Sequence, residues 1–122
     1  MRTIVLRLAA ALTGAVLSLG AAHAARQDFT LVNKTGYDIA KVFVSAAGDK
    51  NWGDDIMGKD TLDNGESVDI VFDKGDRQCK WDLMVVYTDN DEAVWPGVDL
   101  CRTHKITIFW DRRAKVSRAT FD

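Results

Sequence analysis

A chain of 122 residues with a formal net charge of −2 has room for one domain and lacks the basic surplus that nucleic-acid binding requires. A single proline excludes a Pro-rich stalk, and no internal repeat or low-complexity tract points to a solenoid or a tail. Two cysteines allow one intramolecular staple.

The first 24 residues read as an export leader. Arg2 and Arg7 supply a positive start, Leu8 to Gly20 is almost wholly apolar, and Ala22-His23-Ala24 offers the small residues a signal peptidase reads. The apolar run is about 13 residues, short of the roughly 20 that a spanning helix needs. Cleavage is therefore expected after Ala24, with no membrane span in the product. The Ala-rich leader with its short basic start points to a bacterial source and a periplasmic or secreted destination. Arg2 and Arg7 leave with it, so residues 25–122 carry 14 basic against 18 acidic side chains, a net charge of −4.

From residue 25 onward the periodicity is that of strands. Phe29 to Asn33 opens the domain and Asn33-Lys34-Thr35-Gly36 turns. Tyr37 to Ser45 follows, apolar on both faces, which predicts a central strand. Ala46 to Asp60 is a polar loop with room for one helical turn near Asp54 to Met57. Asp63-Asn64-Gly65 turns into a strand that buries Val68, Ile70 and Phe72, and Asp73-Lys74-Gly75-Asp76 turns again. Gln78 to Thr88 is the longest strand, with Cys79, Trp81, Leu83, Val85 and Tyr87 on one face. Asp89-Asn90-Asp91 is a hairpin tip returning through Ala93 to Trp95. Strands over Lys105–Trp110 and Lys115–Phe121 complete the chain.

This pattern predicts an all-β, single-domain antiparallel β-sandwich of about seven short strands over residues 25–122. In an oxidising compartment Cys79 and Cys101 are expected to form a disulfide, pinning the hairpin between them to the domain. The strings FTLVNKTGYDI, NWGDDIMGKDTLDNGESVDIVF, CKWDLMVVY and GVDLC together resemble a group of small exported bacterial proteins with no assigned activity. The resemblance spans nearly all of residues 25–122 and implies export and a single domain. It implies no catalytic residues. The opening F-x-L-V-N also resembles the first strand of thaumatin-like β-sandwiches.

Two features carry candidate chemistry. Asp54, Asp55 and Asp60 crowd one loop, and Asp99 is a candidate to join them; oxygen-rich sets of this kind hold Ca²⁺. The loop lacks the glycine that an EF-hand requires at its sixth position, and a turn-capping role for Asp54 or Asp55 is the alternative. Trp52 lies between Asn51 and Gly53, and Trp95 adjoins Pro96-Gly97; an aromatic among polar groups serves as a ligand platform or as a lid on the domain end. Trp52, Asp54, Asp55 and Trp95 are thus the expected ligand or partner surface. His104 is the one histidine outside the leader, and no nucleophile–base pair accompanies it. The expectation is a non-enzymatic exported protein that binds a protein or small-molecule ligand in the cell envelope and needs no cofactor. The alternatives are a weak Ca²⁺-binding structural module and a small inhibitor or immunity-type protein against an envelope hydrolase.

Overall fold

The computed structural model describes residues 2–6 and 25–122. The apolar stretch and the Ala-His-Ala site of the leader lie outside them. Among the described residues eight strands form: β1 (Arg2–Leu6), β2 (Phe29–Lys34), β3 (Ile39–Ala46), β4 (Ser67–Phe72), β5 (Lys80–Tyr87), β6 (Glu92–Asp99), β7 (Lys105–Asp111) and β8 (Val116–Phe121). They make a five-stranded sheet in the order β1-β4-β2-β7-β8 and a three-stranded sheet in the order β3-β5-β6. No helix among the described residues is long and apolar enough to cross a membrane.

The two sheets enclose one core. Phe29 and Leu31 of β2, Val68, Ile70 and Phe72 of β4, and Ile106 and Ile108 of β7 face Val42, Val44, Trp81, Leu83 and Val85 of the smaller sheet. Alternation dictates this. In β5 the residues Trp81, Leu83, Val85 and Tyr87 share one parity and all are buried. Each such aliphatic side chain withdrawn from water contributes roughly 1.5–3 kcal/mol. Trp81 stacks obliquely on Phe72, with ring centroids 4.9 Å apart, and so joins one sheet to the other.

Seven strands within residues 25–122 match the expected sandwich, and β1 is added from the segment expected to be a leader. Pairing is not wholly antiparallel: β2 runs parallel to β7, and β1 parallel to β4. The segment expected to be a central strand, β3, is instead the edge of the smaller sheet. A register shift between Ile39 and Lys41 breaks the alternation, so Ile39, Val42 and Val44 all turn inward. Its outer edge is capped by the following loop. Val42 N–H donates to Asp55 Oδ1 at 2.9 Å, Ile56 N–H donates to the Val42 carbonyl, and Ile39 and Leu62 exchange backbone bonds. The expected helical turn is a pair of tight turns, with Gly58 N–H on the Asp55 carbonyl and Asp60 N–H on the Met57 carbonyl.

Cys79 and Cys101 form the expected disulfide, closing the open end of the β5–β6 hairpin. At its other end Asn90 takes the left-handed backbone (φ 72°) and Asp89 Oδ1 accepts the Asp91 N–H, as tip residues should.

Candidate functional site

The strands β6 and β8 are the last of their sheets, and a groove of about 310 Å³ lies between them. Its walls are aromatic. Trp95 occupies an inward position of β6, opposite Leu83, and rests half-buried against the core. Trp110 ends the inward row of β7, opposite Ser117, and meets Tyr37 edge-on with ring centroids 6.1 Å apart. Small residues make the space: Ala93 and Ser117 line it at positions where larger side chains would fill it. Between the walls, the Tyr87 hydroxyl and Ser117 Oγ are 2.6 Å apart and tie the two sheets together. Burial pushes the Tyr87 phenol above its ordinary value of 10.0, the charge of Asp89 adds to the rise, and the Ser117 hydrogen bond opposes it. The hydroxyl pair is therefore neutral near pH 7. Asp91, Glu92 and Lys115 form an exposed, charged rim.

A second cleft, of about 380 Å³, opens where β3 runs into the 47–53 loop. Trp52 lines it beside Asp49, Asn51, Asp76 and Gln78, with Trp81 beneath. Most of this polar set already serves the backbone. Asp49 Oδ1 accepts the Asn51 N–H at 3.0 Å, Asn51 Oδ1 accepts the Gly53 N–H at 3.1 Å, and Asp76 Oδ1 accepts the Gln78 N–H at 3.3 Å. A third cleft of about 420 Å³ lies beside the disulfide, bordered by Arg26, Lys74 and Arg77.

No family model matches the chain, and no curated protein does. In three dimensions it is similar to a protein from Eubacterium rectale solved by NMR, at 18% sequence identity and a TM-score of 0.55, over 77% of this chain and 85% of that one. That likeness extends to the fold alone.

The four tryptophans divide by their indole nitrogens. Trp81 is 2% exposed and its Nε1 donates to the Gln78 carbonyl at 2.8 Å. No protein acceptor among the described residues meets the Nε1 of Trp52, Trp95 or Trp110, and none of these is a buried orphan. Trp52 and Trp95, paired in the sequence analysis as one surface, line different clefts with no lining residue in common. The groove shared by Trp95 is walled on its other side by Trp110, whose place on the apolar parity of β7 carries no sign of a groove in the sequence, since that space depends in part on Ser117 across the strand pair.

The acidic residues are likewise apart. Asp54 is exposed, whereas Asp55 Oδ1 accepts both the Val42 N–H and the Met57 N–H and so holds the loop to β3. Asp60 sits at the end of the double turn. Asp99 accepts the Cys101 N–H at 3.1 Å and lies 3.8 Å from both Lys80 and Arg102. Among the described residues, the group of three potential ligand side chains within 4.8 Å of one another is Cys79, Asp99 and Cys101, and its two sulfurs are joined to each other. Asp54, Asp55, Asp60 and Asp99 are not gathered into one set.

Proposed function

We propose that the protein is an exported, non-enzymatic binding protein of the cell envelope, and that its ligand, flat and apolar on one face with a polar rim, lies between Trp95 and Trp110. The observation that carries this reading is the pair of half-buried indoles that line one groove and whose Nε1 groups meet no acceptor among the described residues. A ring lying on either indole gains apolar contact from the face and a hydrogen bond from the edge. The neutral Tyr87–Ser117 hydroxyl pair and the charged rim of Asp91, Glu92 and Lys115 supply further polar partners. The leader of residues 1–24 and the Cys79–Cys101 disulfide support export to an oxidising compartment.

A pyranose fits this chemistry, so the test uses soluble fragments of envelope glycan. Titration followed by tryptophan emission should give a saturable change. Trp95→Phe and Trp110→Phe retain a ring but lose the indole N–H, and each should weaken binding about tenfold while melting near the parent temperature. No saturable change with the parent protein, or full binding by both variants, would count against the site.

A further inference from the structure

On the side away from β2, β4 is covered by β1 alone. We propose that, once the leader is removed, this edge takes an extended segment of another polypeptide in the place of β1. The inference rests on the export reading, because β1 belongs to the leader.

The structure displays the kind of strand the edge accepts. Arg2 to Leu6 runs parallel to β4 in unbroken register, from Arg2 beside Val68 to Leu6 beside Phe72. Ile4 pairs with Ile70 and packs against the core, and Leu6 is 7% exposed within it. Thr3 and Val5 face outward, Val5 being 53% exposed. Removing residues 1–24 thus uncovers two things together: a row of strand backbone groups, and an apolar slot over Ile70 and Phe72. Both are what strand addition requires, the backbone for affinity and the slot for selectivity.

The contrast with β3 sharpens the point. That edge is covered by the chain's own Asp55, Ile56 and Leu62, which stay in place after cleavage. The sequence SVDIVF of β4 carries no proline, no lysine and no register shift against β2, the devices that ordinarily guard an edge. Asp69, its one charge, faces outward and accepts the Thr30 hydroxyl at 2.7 Å. The occupant is therefore an extended polypeptide segment with aliphatic side chains two residues apart, aligned parallel to β4.

The experiment expresses the full chain in an exporting bacterial host, purifies it from the periplasm and weighs it. A synthetic peptide of residues 1–7 is then titrated into the processed protein, with backbone amide shifts and hydrogen exchange recorded. Saturable binding with new protection confined to Ser67–Phe72 is expected. A peptide carrying Ile4→Lys and Leu6→Lys should bind about tenfold or more weakly, the ratio that loss of a buried aliphatic side chain produces. Absence of saturable binding, equal binding of the charged peptide, or protection elsewhere overturns the proposal and leaves export untouched. A dimer of the processed protein with β4 amides protected before peptide is added overturns it in favour of a second copy as occupant. A mass that retains residues 1–24 overturns the export reading itself, and the proposal with it.

Discussion

The side-chain amide of Asn33 donates to the carbonyl of Leu62 across 2.9 Å and joins β2 to the segment that caps β3. Asn33 is wholly buried and fully bonded: Nδ2 also donates to the Tyr37 carbonyl, and Oδ1 accepts both the N–H and the hydroxyl of Thr35. A buried polar group costs little only when every partner is in place. Asn33→Ala removes all four of these hydrogen bonds and leaves the Thr35 N–H without its partner, while the Leu62 carbonyl keeps the Ile39 N–H, so urea unfolding should show a loss of about 2 kcal/mol or more. Asn33→Asp keeps the shape but turns two donations into oxygen–oxygen contacts, and should be at least as damaging.

Much of the sandwich was legible in the sequence, and the exceptions have physical causes. The parity of Trp81, Leu83, Val85 and Tyr87 announced β5 because a strand buried on one face leaves a period of two. Asn90 and Gly65 marked turns because their positive φ values select such residues. The edge position of β3 was hidden, since its outer edge is covered by a loop rather than by a strand. Asn33 looked like a turn residue, as nothing local distinguishes an amide bonded to solvent from one bonded to Leu62. The groove beside Trp95 was half visible: the aromatic stood out, but Ser117, which helps to open it, lies on β8, over 20 positions away in the chain.

The disulfide closes a loop with a sequence separation of 22. Chain-entropy reasoning assigns such a closure roughly 3 kcal/mol, a large share of the stability of a domain this small. The double variant Cys79→Ala, Cys101→Ala should therefore unfold at clearly lower denaturant than the parent. Reductant should lower the midpoint of the parent by a similar amount and leave that of the variant unchanged.

Neighbouring carboxylates in the 47–60 loop should behave differently. Asp55 Oδ1 accepts two backbone N–H groups, from Val42 and Met57, so Asp55→Ala should cost about 1–3 kcal/mol. Asp54 is exposed, and Asp54→Ala should fall within about 0.5 kcal/mol of the parent. With the acidic side chains spread out in this way, millimolar Ca²⁺ and a chelator should give the same thermal midpoint. An upward shift with Ca²⁺ that disappears in Asp54→Ala would show that the loop binds the ion after all.

Tyr87 links the groove to the pH dependence of the fold. Its neutral form is favoured in the folded state, chiefly by burial, so its folded pKa lies above the unfolded value of 10.0. The stability this contributes is whole below pH 10.0 and is lost as the pH rises through the folded pKa. Unfolding measured across the alkaline limb should therefore be steeper for the parent than for Tyr87→Phe. The neighbours set the size of the effect in opposite directions. Ser117→Ala removes the hydrogen bond that lowers the pKa, and should move phenolate formation at Tyr87 to still higher pH. Asp89→Asn removes a negative charge that raises it, and should move ionisation down. A Tyr87 transition at or below 10.0 in an ultraviolet titration would mean that the groove floor is wet, and that the hydroxyl pair there is free to rearrange around a ligand.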